Sequence, residues 1–366
     1  MLKILFITAF TPSEQGAGVA YTNRLLIELS KTCLVDLVYF RYADEESYIA
    51  PNDNVKVVRE EVICTHDKLK SLYLMPGVFP LFTARFKKAV QAFLQKQVNN
   101  VHYDFVYFDF SQTFCYAKYI NHPNKILMSH DVIAQKYSRM KRYLRPWVVC
   151  SERTMLKEGK AVFTFSEKDC ELIRELYNID SHATTFFLND SVLAAKPTVN
   201  SDYFVFFGSW GREENSEALN WFLDNVYGLI KKECLFKVVG GGKLPDSIKK
   251  KIEKLENMEY LGFMDNPYEL IANAKAEIAP LHMGAGVKVK CIESLASGTP
   301  VIGTEVAFEG VGELYRNALF LANKPEEYAA IINDFDYSLK KKQNLKRFFV
   351  ESYNNKQILN YISGKL

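Results

Sequence analysis

Gly284, Ala285, Gly286, Val287, Lys288, Lys290 and Glu293 crowd into one short span whose residue types suit an anionic ligand. An apolar run, Ala276–Pro280, precedes the span and ends at a proline. Gly298 and Pro300 close it, so it reads as strand, glycine loop, helix and stop. Two glycines around one small residue let the backbone turn sharply and approach a ligand closely. At 100° per residue, Gly286, Lys290, Glu293 and Ser297 share one stripe. Val287, Val289, Cys291, Ile292, Leu295 and Ala296 fill an arc that should face a sheet. Lys288 falls inside that arc, which places it in the loop or the first turn. Free N–H groups at a helix start, with lysines beside them, suit a diphosphate and leave the carboxylate for hydroxyl groups. The competing reading is a surface helix whose Lys290–Glu293 pair is worth a few tenths of a kcal/mol.

The rest of the chain alternates short apolar strands with helical patterns. Lys3–Thr8 reads as a buried strand, followed by the loop around Gly16 and Gly18, a helix from Val19 to Ser30, and a strand over Leu34–Phe40. A dinucleotide fingerprint would need a third glycine where Tyr21 stands, which disfavours hydride chemistry. Phe105–Phe108 is flanked by Asp104 and Asp109, and Lys125–Ser129 runs into His130-Asp131. A histidine at a strand's carboxyl end is well placed for a site, although a lone histidine serves structure as readily. Ala161–Phe165 leads to Ser166, an N-cap with acidic residues behind it. The pattern loosens near 189–201, and a second series follows: Tyr203–Gly208, a helix carrying Leu219, Phe222, Leu223 and Val226, Phe236–Gly242, Tyr260–Asp265, and the span above. Two doubly wound parallel-sheet domains are expected, 1–195 and 196–338, with a basic helical tail, 339–366, packing back on the first.

Composition bounds the rest. At 366 residues, a length-based prior gives about two to three domains. Hydrophobic and charged fractions of 48% and 24% are those of an ordinary globular protein, and a net charge of +3 is too small to argue for nucleic acid. The seven cysteines are odd in number and show no CxxC spacing, which favours reduced thiols in the cytoplasm. The apolar start, Met1–Thr8, is too short for a signal h-region or a membrane span. No cluster has metal-ligand spacing, so no metal is expected.

In Phe207-Gly208-Ser209-Trp210, Val239–Gly242, Leu261–Asp265 and Gly284–Val301, with Gly16–Gly18 and Ser129-His130-Asp131 ahead of them, the chain resembles glycosyltransferase family 4, the glycosyl transferases group 1. The resemblance implies the GT-B fold: two Rossmann-like domains facing across a cleft, acceptor side first and nucleotide-sugar donor side second. It implies a retaining, hexosyltransferase-like enzyme that moves a sugar from a UDP or GDP sugar to an acceptor hydroxyl. Glu293 would bind ribose hydroxyls, and Lys288 and Lys290 would neutralise the diphosphate. The backbone at Gly262, Phe263 and Met264 would read the base. His130 would sit beside the sugar, and Gly16–Gly18 would close over the diphosphate. The family's second carboxylate is replaced by Ala285, so sugar contacts would pass to the backbone of Gly284 to Val287. The basic pair expected after Gly208 is represented by Arg212 alone, with Asn215 where a lysine is common.

Arg85–Lys88 and Lys136–Trp147 form a basic, aromatic stretch that reads either as a solvated face or as a surface for anionic lipid, and hence for a lipid-linked or glycan acceptor in polysaccharide assembly. No nucleic-acid motif accompanies it. Two further classes stay open: a nucleotide-sugar epimerase or hydrolase on the same frame, and an idle interaction partner that has lost catalysis with the carboxylate at 285.

Overall fold

The computed structural model describes residues 1–14, 16–139, 141–284 and 286–364. The chain forms two compact units, one of residues 1–187 with 355–366 and the other of residues 188–354. The first holds seven parallel strands: β1 (Leu2–Thr8), β2 (Cys33–Arg41), β3 (Val55–Val62), β4 (Phe105–Asp109), β5 (Lys125–Met128), β6 (Ala161–Thr164) and β7 (His182–Ala183). Their spatial order is β3-β2-β1-β4-β5-β6-β7. The second holds β8 (Tyr203–Phe207), β9 (Leu235–Val239), β10 (Met258–Gly262), β11 (Glu277–Ala279), β12 (Val301–Gly303) and β13 (Leu319–Leu321), ordered β10-β9-β8-β11-β12-β13. Each unit is a doubly wound α/β sheet.

Strands covered by helices on both faces must be apolar nearly throughout, and the inner strands obey this. Ile4, Leu5, Phe6, Ile7, Val106, Tyr107 and Phe108 are fully buried, as are Phe204, Val205 and Val238 in the second unit. The edge strand β3, VKVVREEV, is half charged, which is how an edge avoids unwanted pairing and why it carries no apolar run to detect. In both sheets the strand order reverses beside the first strand, between β1 and β4 and between β8 and β11. Ligands in open α/β sheets bind beyond strand C-termini at such switch points. The loops after β1, β4, β8 and β11 are therefore the places to look.

The tail differs from the single segment expected. Helix Leu339–Ser352 belongs to the second unit, and helix Gln357–Ile362 returns to the first, where Tyr361 packs its ring against Phe105 and Phe163. The divide between units falls at 187/188 rather than 195/196. Asn189 then N-caps a short helix, Asp190–Ala194, of the second unit. Among the described residues, no helix is long and apolar enough to cross a membrane.

Candidate functional site

In the second unit, the glycine loop after β11 feeds helix Val289–Ala296, with Lys288 as its N-cap residue in extended conformation. This is the loop-or-first-turn position its apolar register requires. Among the described residues, the N-cap side chain of Lys288 makes no cap hydrogen bond and no acidic residue stands in the first turn, where the helix dipole favours negative charge. Gly284 and Gly286 take φ of 113° and 69°, left-handed conformations that side-chain-bearing residues rarely adopt. Ala285 lies outside the described residues. The Lys288 ammonium turns back to donate to the Gly286 carbonyl at 2.7 Å. Cys291, Ile292, Leu295 and Ala296 are buried as the wheel demands, and Ser294 is buried with them, whereas Val287 and Val289 are only half-buried.

Lys290 reaches from this helix to the one that follows β8, Glu213–Asn225. Its ammonium donates to Asn215 Oδ1 at 3.1 Å, while Asn215 Nδ2 donates to the Ser209 carbonyl at 2.9 Å. Asn215 thus holds a lysine in place rather than supplying one. Arg212, the N-cap of helix Glu213–Asn225, is mostly exposed and pairs with Glu214 at 2.7 Å. Glu293 accepts from the Tyr268 hydroxyl at 3.1 Å, which orients its carboxylate from a neighbouring helix, Tyr268–Asn273. The loops after β8 and β9 are pressed together: a Cβ on Gly240 would lie 1.9 Å from the Gly208 carbonyl oxygen. Beyond β10, the Phe263 ring is 73% exposed, an open aromatic face following Gly262, while Met264 packs inward beside Val205 and Val239.

Beneath helix Val289–Ala296 lies Glu277 on β11, fully buried next to Ser294. Burial pushes its carboxyl above the ordinary range, and the Lys290 charge opposes that shift. The sequence reading passed over Glu277 because it sits in an apolar strand and makes no motif.

In the first unit, the structure brings His130 to the switch point. Its Nε2 lies 2.7 Å from Asp109 Oδ1, and Asp109 is wholly buried at the end of β4. The hydroxyls of Thr8 and Thr22 donate to Asp109 Oδ2 at 2.9 and 2.6 Å. Thr8 and Asp109 are direct neighbours across the β1–β4 pair, and Thr22 stands one turn beyond Gly18 in helix Ala17–Ser30, which starts after Gly16. The imidazole stacks on Phe110 at 3.7 Å between centroids. A buried carboxylate behind a histidine is the signal that Asp109, read only as a strand flank, failed to give from sequence. Glu152 supports the segment from the other side. Its carboxylate accepts from the backbone N–H of Ile133 and Ala134 at 2.8 and 2.9 Å and from the Tyr177 hydroxyl at 2.5 Å. Burial pushes Glu152 up to about 7 against those three hydrogen bonds.

The two halves of the basic, aromatic stretch differ. Arg85 is buried, with its guanidinium donating to the Ala9 carbonyl and the Tyr42 hydroxyl, and Phe86 lies in the core. Lys87 pairs with Glu61 and Asp67 at 3.3 and 3.2 Å. The Arg85–Lys88 half of the basic stretch is therefore largely internal. In the other half, Met140 lies outside the described residues, and Lys136, Lys141, Arg142, Tyr143 and Trp147 are exposed. Among the described residues, no three His, Cys, Asp or Glu side chains converge in a way that could hold a metal ion.

Residues 201–335 match the model of the glycosyl transferases group 1. Anabaena HepE, solved in complex with UDP, is 13% identical to this chain with a TM-score of 0.68, over 99% of this chain and 100% of that one. Sucrose-phosphate synthase from Thermosynechococcus elongatus is 14% identical with a TM-score of 0.71, over 100% and 98%. S. aureus TarM, solved as a mutant in complex with Fondaparinux, alpha-GlcNAc-glycerol and UDP, is 12% identical with a TM-score of 0.68, over 100% and 99%. A Klebsiella pneumoniae protein described as an "Uncharacterized 44.6 kDa protein in cps region" is 23% identical over 175 residues, 43% of this chain and 44% of that protein. The match thus spans less than half the length of this curated relative. The fold is that of the GT-B proteins. The whole of the group 1 match, residues 201–335, falls within the second unit.

Proposed function

We propose that this protein is a glycosyltransferase that moves a hexosyl group from a UDP or GDP sugar to an acceptor hydroxyl, with retention and without a metal. The observation that carries the reading is the start of helix Val289–Ala296: a first turn without acidic residues, two left-handed glycines, and Lys288 and Lys290 beside it. The group 1 match and the UDP bound by HepE support it. In this reading Lys288, Lys290 and the N–H groups of the loop from Gly284 to Val287 hold the diphosphate, with Arg212 at its margin. Glu293, oriented by Tyr268, takes the ribose hydroxyls. The loop after Gly208 and the segment Gly262, Phe263 and Met264 take the nucleoside. Gly16, Gly18 and His130 act on the sugar and its phosphate from the first unit.

The anomeric C–O bond breaks with its electron pair on the diphosphate, and the acceptor oxygen bonds the same carbon. With retention, attack and departure share one face of the sugar, so the acceptor's proton passes to the departing phosphate. Negative charge grows on that phosphate, where preorganised cations and N–H groups lower the barrier.

A thermal-shift panel of UDP and GDP sugars is expected to show stabilisation by one nucleotide class, about 2.7 kcal/mol at 100 Kd. Product analysis with that donor should yield a glycoside only when acceptor is present, with activity persisting in EDTA. Free sugar or an epimer from donor alone would establish the hydrolase or epimerase reading instead, and no turnover with donor bound would establish an idle partner.

The cps-region relative supports a role in cell-surface polysaccharide assembly at the cytoplasmic membrane face, with a glycan or lipid-linked acceptor. Exposed Tyr143 and Trp147 among Lys136, Lys141 and Arg142 suit an anionic lipid surface, at about 1 kcal/mol per basic residue. Flotation with phosphatidylglycerol vesicles at low salt is expected to carry the protein, and Tyr143→Ser with Arg142→Ser to weaken it. Protein left at the bottom of the gradient would retire the membrane role.

A further inference from the structure

Two cations of the first unit meet at the carboxyl ends of β1 and β2. Ala9 follows β1 and Tyr42 follows β2, while Lys68 lies on helix Thr65–Leu74 and Arg85 just past helix Pro80–Thr83. Arg85 is 3% exposed. Its Nε donates to the Ala9 carbonyl at 2.8 Å and its Nη2 to the Tyr42 hydroxyl at 3.1 Å. The guanidinium carbon lies 4.9 Å from the Phe10 ring centroid and 5.0 Å from that of Tyr42, so two rings hold the plane of the fork. Lys68 donates to the same Tyr42 hydroxyl at 3.2 Å. Among the described residues, neither cation pairs with a carboxylate, and Arg85 Nη1 has no hydrogen-bond partner. The acids nearby are engaged elsewhere. Asp67 pairs with Lys87 at 3.2 Å, and Glu45 accepts from the Tyr42 backbone N–H at 3.0 Å, at the end of that residue remote from its hydroxyl. Burial pushes the Tyr42 phenol up, but hydrogen bonds and charge from Arg85 and Lys68 outweigh it and leave the phenol below its ordinary value.

A buried cation without a counter-ion is costly, and the cost falls when a ligand brings the anion. A guanidinium fork matches two oxygens of a phosphoryl group, and an ammonium beside it adds a second point charge. The Tyr42 hydroxyl accepts from both cations, so its own hydrogen is left for a third acceptor that no described residue supplies. Ligands of open α/β sheets bind beyond strand carboxyl ends, which is where these groups stand. We propose that Arg85 and Lys68, joined through the Tyr42 hydroxyl, bind a phosphoryl group carried by the acceptor. The word acceptor rests on the sugar-transfer reading, whereas phosphate binding does not.

The first test needs no activity. Calorimetric titration of the full chain with inorganic phosphate, with UDP saturating its own site, is expected to show a single class of phosphate site. Lys68→Ala should weaken its affinity about 10- to 100-fold, the loss of one charge-assisted contact. Arg85→Gln should abolish binding where that buried variant folds. Lys70→Ala removes an exposed charge from the same helix and Lys290→Ala one from the second unit, and both should leave phosphate affinity unchanged. An absence of phosphate binding, or an affinity in Lys68→Ala no weaker than in Lys70→Ala, overturns the proposal. The second test separates the sources of the phosphoryl group. Displacement of phosphate by glucose 6-phosphate assigns a soluble sugar phosphate, and displacement by farnesyl diphosphate in detergent micelles assigns a lipid-linked one. Displacement by neither overturns the acceptor assignment. A chain that binds phosphate here but turns over no nucleotide sugar overturns the sugar-transfer reading instead and leaves the anion site standing.

Discussion

Lys290→Ala is expected to lower kcat by about 10²–10³-fold, roughly 3–4 kcal/mol of transition-state stabilisation, while the protein stays folded. The magnitude follows from where charge appears. In the ground state the diphosphate is already anionic, but breakage of the glycosidic bond adds negative charge to the departing oxygen, and a cation already in place need not reorganise to meet it. Lys290 is held in place by Asn215, itself tied to Ser209, so its ammonium is preorganised. The side chain is half-buried at the edge of the loop, and its removal leaves the apolar face of the helix untouched. Single-turnover rates with the donor identified by thermal shift, together with an unchanged melting profile, check the expectation. An unchanged kcat would take Lys290 out of the mechanism.

Stability is expected to rise by several kcal/mol between pH 7 and about 10. Lys342 and Lys346, on helix Leu339–Ser352, are both buried. Lys342 donates to the Ala274 carbonyl, and Lys346 to the carbonyls of Val192 and Ala296 at 3.0 and 2.7 Å. Burial lowers Lys342 to about 7 from an ordinary 10.5, and lowers Lys346 to about 8, with Lys196 adding repulsion. Where a folded pKa lies below the unfolded one, the unfolded chain binds more protons between the two values, so stability increases with pH across that window. The contribution is present in full above the unfolded value and is lost as pH falls to the folded one. Urea unfolding at a series of pH values should show this slope, and Lys342→Met with Lys346→Met should flatten it. A slope equal in both proteins would sink the assignment. The site is connected to this effect, because Ala296 ends the helix whose other end carries Lys288. A cation at a helix C-terminus complements its dipole, so Lys346 anchors the far end of the candidate diphosphate site.

The glycine loop, the helix after it and its stop at Gly298 were legible because they are local: residue spacing sets which side of a helix is apolar, and left-handed backbone calls for glycine. The register of Lys288 was legible for the same reason. The alternation of short apolar strands with helices likewise determined two doubly wound sheets. What escaped was whatever lacks a local pattern. Strand β3 is charged and lies at an edge, β7 is two residues long, and the tail divides between two units because burial partners, not composition, decide where a helix packs. Arg85 and Phe86 looked like surface and turned inward for the same reason.

The site divides along the same line. By itself the sequence determined which residues surround the helix start, since Gly284, Gly286, Lys288, Lys290 and Glu293 are neighbours along the chain. Only the tertiary structure decided what stands behind them: Asn215 on Lys290, Tyr268 on Glu293, and Asp109 on His130. These partners are 75, 25 and 21 residues away, and a hydrogen bond between them depends on strand order and register, which bring distant residues within 3.1 Å.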